Sequence, residues 1–382
     1  MKKLALFLDG TWNTVSDNTN VWRLKALCAD KDANGNEQRA YYSTGLGTER
    51  GERLRGGVSG SGIDTAITKA YEWLVDNYRK GDEIYIFGFS RGAYTARSLS
   101  GLISICGLLR KGAPLGVNQI YKRYRARKNG QPRTIRELFD PDNYPGKRSL
   151  EDEWVAQFAR AVSIKFVGVF DTVGSLGVPF ALWRRIRGEA YPFLNTGLRI
   201  NNETAFHALA IDEHREAFRP TLWTDQGATA SKRELAVTEQ RWFVGAHANV
   251  GGGCFTDSLA QIPFDWLVSK AELIGLAFAP RQPRPANAHL GDISDSFSEF
   301  AYGIYKWLRL FRRYYRPIDT APTDEGPKTR NINETIDATV FDRWRADSKY
   351  RPPALQYWAT DKKADLAKLT TSVSASTGQP VL

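Results

Sequence analysis

Cysteine is scarce: a chain of 382 residues holds three, Cys28, Cys106 and Cys254, far apart and without a CxxC spacing. That argues against a disulfide framework and against a zinc site, and it suits a reducing compartment. No metal and no cofactor is expected. Long apolar runs are missing as well, each being broken by charge or glycine well short of the roughly 20 residues that cross a bilayer. The opening MKKLALFLDGTWN begins as a secretion leader would, but its apolar part stops at Asp9, short of the roughly 7–15 residues of a leader core. It reads as a first buried strand. Synthesis as a cytoplasmic protein is expected, with export by a signal-independent route left open.

What is present is a chain with 42% hydrophobic residues, enough for a sizeable core, and a formal net charge of +11. The charge favours anionic partners: nucleic acid, an acidic lipid surface or a phosphorylated substrate. No nucleic-acid module is recognisable, so nucleic acid is not expected. Buried-strand patterns at Leu4–Leu8, Arg39–Tyr42, Ile84–Phe87, Ile164–Phe170 and Arg241–Val244 alternate with helical patterns at Asp64–Tyr78, Gly92–Cys106, Val117–Arg127, Asn202–Ile211 and Pro263–Leu276. Apolar strands separated by amphipathic helices predict an α/β fold, a mostly parallel sheet covered on both faces. Residues 278–298, rich in proline, read as a linker or surface loop. The division expected is a catalytic core over 1–280, a C-terminal helical appendage over 281–370 and a flexible tail over 371–382.

One stretch concentrates chemistry. In IYIFGFSRGAYTAR, residues 84–97, Ser90 lies between an apolar strand and a helix, with Gly88 and Gly92 two residues to either side. At so sharp a turn the serine is forced into a strained backbone, and side chains at the flanking positions would strike strand and helix. Glycine removes the collision and leaves the hydroxyl projecting above the carboxyl edge of the sheet. The α/β-hydrolase fold is therefore expected, with Ser90 as nucleophile, a plain turn serine being the alternative.

A serine hydroxyl needs a base, and the base needs an acid. Among four histidines, His247 follows a strand core and precedes Gly251-Gly252-Gly253, a loop from which an imidazole can swing over the serine. His207 and His214 fall at helical spacing and read as packed or surface residues, and His289 as solvated. Asp171 ends another strand core and is the expected acid. It also fits a turn-capping carboxylate, with Asp212 and Asp257 as alternates. Ser90, Asp171, His247 is the chain order of the α/β-hydrolase fold. For the developing oxyanion, backbone donors are expected at Arg91 and at Gly10 or Thr11 in FLDGTWN, with Asp9 either bracing that loop or capping a turn.

Taken together, FLDGTWN, YYSTGLGTE, YEWLVDNYRKGDEIYIFGFSRGAYTARSLSGLI, VGVFDTVGSLGVP, HALAIDEHREAFRP and WFVGAHANVGGG resemble the catalytic domain of type VI secretion phospholipase effectors of the first lipase class. A late stretch, NETIDATVFDRWRADSKYRPPAL, is similar to the family's closing segment. The resemblance implies hydrolysis of phospholipid acyl esters and an immunity or secretion partner. Two positions depart from it: Asn249 stands where the family usually has aspartate, and Asp337 near where it often has histidine.

Three further stretches bear on the substrate. In residues 300–317 Phe300, Ile304, Trp307, Leu308, Phe311 and Tyr315 share one helical face and Lys306, Arg309, Arg312, Arg313 and Arg316 the rest. That pattern fits a helix on an anionic membrane surface or an ordinary helix docked on the sheet. Residues 180–194, with Trp183, read as a lid or a connecting loop, and the glycine-rich residues 56–62 as a helix entry rather than a phosphate cradle. Two other functions stay open: a hydrolase of soluble esters, and a catalytically silent module of the same fold.

Overall fold

A computed structural model describes residues 1–10, 13, 15–44, 61–126, 132–140, 142, 146–174, 198, 201–224, 233–253, 257–299, 312–320 and 330–381. The expected lid residues 180–194, Thr11, Trp183, Trp307, Cys254 and most of the 56–62 and 300–311 stretches lie outside them. Among the described residues ten strands are present: β1 (Lys3–Leu8), β2 (Gln38–Ser43), β3 (Glu83–Phe89), β4 (Leu108–Leu109), β5 (Ala159–Arg160), β6 (Ile164–Phe170), β7 (Asn202–Ala210), β8 (Thr238–Phe243), β9 (Glu334–Ile336) and β10 (Val373–Ser374). Eight of them form one sheet in the order β10-β9-β8-β7-β6-β3-β1-β2, parallel except where β10 runs against β9. β4 and β5 make a separate antiparallel pair.

Alternation along the strands sends one set of side chains to each face. Leu4, Leu6, Leu8, Ile84 and Ile86 pack with helices Ser61–Asn77 and Arg91–Cys106. Ala5, Phe7, Tyr85, Phe87 and Phe166 pack with helices Asn20–Leu27 and Ser258–Leu273 and with the C-terminal helices Ala338–Ala346 and Pro353–Lys362. The molecule is thus a mostly parallel central sheet with helices on both faces, as an α/β fold requires. Among the described residues no helix is long and apolar enough to cross a membrane.

Three expectations need correction. Residues 202–210 form a strand rather than a helix: β7 pairs in parallel with both β6 and β8, and only Glu203 of its residues is exposed. Burial between two neighbours overrides the helical preference of its alanines and leucine. The helix expected from Pro263 starts a turn earlier, because the Asp257 carboxylate accepts from the amides of Leu259 and Ala260. Residues 312–317 are not helical, and Tyr315 is exposed while Arg316 is fully buried, the reverse of the expected faces. Arg316 precedes Pro317, whose ring disfavours helical backbone in the residue before it.

The sheet also runs past residue 280, since β9 extends it beside β8 and β10 follows. In the segment expected to be a flexible tail, Val373 and Ala375 are buried and the Ala375 carbonyl accepts from the Trp358 indole.

Candidate active site

Ser90 sits at the turn between β3 and helix Arg91–Cys106 with φ +56° and ψ −120°. Such a backbone costs a side-chain-bearing residue about 1–3 kcal/mol and persists only where the surroundings enforce it. Those surroundings are specific. A Cβ on Gly88 would lie 2.6 Å from the Gly92 carbonyl oxygen and 2.7 Å from the Ala93 nitrogen; one on Gly92 would lie 2.1 Å from the Leu8 carbonyl oxygen. The glycines therefore let helix, strand and neighbouring β1 approach backbone to backbone, and the Ser90 amide is tied to the Phe170 carbonyl on β6.

His247 follows β8 and opens the short helix His247–Gly251, so it is held in a structured turn rather than on the loose loop expected. Its Nε2 lies 2.8 Å from Ser90 Oγ, and its Nδ1 lies 2.6 Å from Asp171 Oδ2. The backbone amide of His247 donates to Glu213 Oε2 at 3.3 Å. Its ring is flanked by Phe89 at 4.7 Å and Phe218 at 5.0 Å between centroids. Burial lowers the pKa of the imidazole, outweighing the bond and charge of Asp171, which raise it. The ring is accordingly neutral near pH 7, with a lone pair available at Nε2 when Nδ1–H donates to Asp171.

Asp171 follows β6 directly, with φ +39°, and is fully buried. Burial alone would raise its carboxyl, but the charge of Arg316 and the bond from His247 outweigh that and hold it below the ordinary carboxylate range. Both oxygens are occupied. Oδ1 accepts from the Ala210 amide at 3.1 Å and from Arg316 Nη1 at 2.6 Å, while Oδ2 accepts from His247 and from Arg316 Nη2 at 3.0 Å. The alternates are employed elsewhere: Asp212 accepts from the Gly245 amide and the Tyr350 hydroxyl, and Asp257 caps a helix.

Asp9 stands in the loop after β1. Its buried carboxylate accepts from the Gly10 amide at 2.8 Å, the Thr19 hydroxyl at 2.6 Å and the Tyr42 hydroxyl at 2.9 Å, so it braces the loop. This corrects one expectation: the Gly10 N–H points to Asp9, because a buried carboxylate draws in the nearest donor, and not to the serine. Gly10 still borders the site, since a Cβ there would lie 3.4 Å from Ser90 Cβ. Arg91 opens the helix after Ser90; burial lowers its guanidinium to about 10, so it remains a cation at neutral pH.

The other histidines lie in β7 and the turn after it or in the 278–298 segment. His207 is buried in β7, its Nε2 accepting from the Thr172 amide at 3.0 Å and its Nδ1 3.3 Å from Gln240 Oε1. His214 Nδ1 meets the Tyr314 carbonyl at 3.1 Å. His289 lies in a short 3-10 turn and is half-buried. Of the residues expected to meet substrate or membrane, Arg312 and Arg313 are exposed, and Arg313 is paired with Asp295 at 2.9 Å. Sequence reasoning missed Arg316 and Glu213. The only local sign of Arg316 is the following proline, which disfavours helical backbone there.

Asn249 makes four bonds. Its Oδ1 accepts from the amides of Ala246 and Ser294, and its Nδ2 donates to Asp257 Oδ2 at 3.1 Å and to the Asp292 carbonyl at 3.2 Å. Asp337 caps helix Ala338–Ala346 and pairs with Arg241 at 3.2 Å.

A mostly parallel sheet flanked by helices, with a serine, a histidine and an aspartate hydrogen-bonded in line at its strand ends, defines the class as an α/β protein. Within that class the assignment is specific: the model described as T6SS, phospholipase effector Tle1-like, catalytic domain matches residues 2–270, and the chain belongs to that family. An uncharacterized protein of Saccharomyces cerevisiae is 28% identical over 246 residues, 58% of this chain and 33% of that protein. The chain thus spans about a third of the length of that curated relative. Two solved structures are similar: a Tle1 effector bound to the VgrG spike of the type 6 secretion system, and an uncharacterized protein from Pseudomonas aeruginosa. The first has 19% identity and a TM-score of 0.35, over 66% of this chain and 51% of that one. The second has 16% identity and a TM-score of 0.46, over 100% of this chain and 60% of that one.

Proposed function

We propose that the chain is a serine hydrolase of the α/β-hydrolase fold that cleaves carboxylic esters, its substrate being a phospholipid acyl ester. The observation that carries the reading is the unbroken line from Ser90 Oγ to His247 Nε2 at 2.8 Å and from His247 Nδ1 to Asp171 at 2.6 Å. Family membership supports a phospholipase-type activity, and the strained backbone of Ser90 supports a nucleophile rather than a turn serine.

In this reading Ser90 Oγ attacks the ester carbonyl as its proton passes to His247 Nε2. Asp171 stabilises the imidazolium that results and keeps the ring oriented. Charge on the former carbonyl oxygen is met by the backbone amide of Arg91, with Thr11 as the second donor. Collapse of the tetrahedral adduct expels the alcohol, which takes the proton from His247 and leaves an acyl group on Ser90. Water, deprotonated by His247, then releases the fatty acid and restores the hydroxyl. An anionic membrane surface and an immunity or secretion partner are proposed in keeping with the family, and Trp183, Trp307, Arg312 and Arg313 are the residues proposed to meet lipid.

The test is S90A on phospholipid vesicles and on soluble p-nitrophenyl esters. The native chain should hydrolyse the vesicles, and the variant should be slower by several powers of ten. An S90A protein as active as the native one would remove the mechanism. Turnover of the soluble ester alone would remove the lipid.

A further inference from the structure

The Asp171 carboxylate carries a partner that the reaction scheme above does not use. Arg316 is fully buried and reaches Asp171 from 145 residues further along the chain. Its Nη1 bonds Oδ1 at 2.6 Å and its Nη2 bonds Oδ2 at 3.0 Å, a fork that matches both carboxylate oxygens. The same two nitrogens donate to the Ala210 carbonyl at 2.8 Å and the Phe218 carbonyl at 2.6 Å. Phe218 packs edge-on against the His247 ring. One guanidinium therefore clamps the acid, the end of β7 and the turn that walls the imidazole. Arg316 also lies beyond residues 2–270, the part of the chain that the family model covers.

We propose that Arg316 is a positioning residue of the active site: it fixes both oxygens of Asp171 so that Oδ2 faces His247, and it lowers the proton affinity of the Asp171–His247 pair. The inference rests on the serine-hydrolase reading. Its second part follows from charge. Asp171 Oδ2 is shared by His247 Nδ1 and Arg316 Nη2, so a proton arriving on the pair joins a group already balanced by a cation. Without Arg316 the same proton joins a group of net charge −1 and is held more tightly, whichever partner carries it. Protonation of the pair stops the base, so the acidic limb of the rate profile reports it. Glu213 and Arg215 also face the ring: Glu213 binds the His247 amide, and Arg215 lowers the imidazole while Glu213 raises it. They are the same in every variant compared.

The experiment measures kcat/KM on a soluble p-nitrophenyl ester from pH 5 to 9 for the full native chain, R316K and R316Q, with S90A alongside and thermal melts to score folding. In R316Q the rate at pH 7 should fall at least tenfold, and the acidic limb should move to higher pH by about half a unit or more, as for loss of a cation within a few ångströms. In R316K, where an ammonium replaces the fork with a point charge, the rate should fall at least threefold and the limb should stay nearer the native position. A folded R316Q with native rate and an unmoved limb overturns the proposal. Should R316Q fail to fold, a folded R316K with native rate overturns it equally. Rate loss in folded R316Q with the limb unmoved also overturns it, because that is what general loosening would do. S90A as active as the native chain strikes the underlying reading instead, so the two failures are told apart.

Discussion

Asn249 shows how a single side chain sets the local electrostatics of this site. Its amide nitrogen faces two acceptors, Asp257 Oδ2 and the Asp292 carbonyl, while its oxygen takes two amides, one of them next to His247. Aspartate at this position would present oxygen to oxygen on the Asp257 side. N249D should therefore lose about 1 kcal/mol, the low end of the range for acceptors left without donors because both are only part-buried, read as a lower urea midpoint at pH 7. Burial raises the Asp257 carboxyl, so a proton shared between the two carboxyls should recover part of the loss as pH falls toward 5. An N249D midpoint equal to the native one at pH 7 would show that this amide is not needed as a donor.

Among the elements, the turn at Ser90 is decided by how closely β1, β3 and helix Arg91–Cys106 approach. A methyl at Gly92 would sit 2.1 Å from the Leu8 carbonyl oxygen and 2.5 Å from that of Asp9, both backbone atoms that cannot turn aside. G92A should yield no folded active protein, or one destabilised by about 3 kcal/mol or more, the scale of severe overpacking; native urea stability and native rate would contradict the packing described. This element was legible because glycine, serine and a buried apolar strand each leave a local mark. The same holds for β1 and β6, whose apolar runs end at the turns carrying Asp9 and Asp171, while β8 shows only Trp242 and Phe243 before the turn to His247. Residues 202–210 were misread because Ala205, Ala208, Leu209 and Ala210 carry helical preference, and only the flanking strands decide between the two forms. β9 has three residues, too few for any period to show. Arg316 was hidden for a related reason: its role exists only once Asp171 has been brought to it, and along the chain it stands in a run of arginines that reads as a solvated face.

Across the whole molecule, residues far from the serine set how stability follows pH. Burial pushes the Glu334 carboxyl up to about 7 from an ordinary 4.5, despite bonds from the Trp242 indole, the Asn331 amide and the Asp319 backbone. A raised acid contributes stability that is present below its unfolded value and is lost as pH rises through about 7. His207, pushed down to about 3 from 6.5 by burial and by Arg97, works the other way. Its contribution is present above its unfolded value and is lost as pH falls. Urea unfolding of E334Q against the native chain from pH 5 to 8 should show the variant gaining as pH rises to about 7 and levelling off above it; a constant difference would mean that Glu334 does not titrate in the fold. The C-terminal third takes part in this whole, supplying Glu334 and β9 to the sheet and Arg316 to the acid. The central claim, that His247 activates Ser90, is tested most directly on the intact protein with a fluorophosphonate probe and peptide mass spectrometry. One adduct should form, on Ser90, at least about 100-fold more slowly in H247A. An unlabelled Ser90 in the folded native chain, or equal labelling rates in the two proteins, would contradict it.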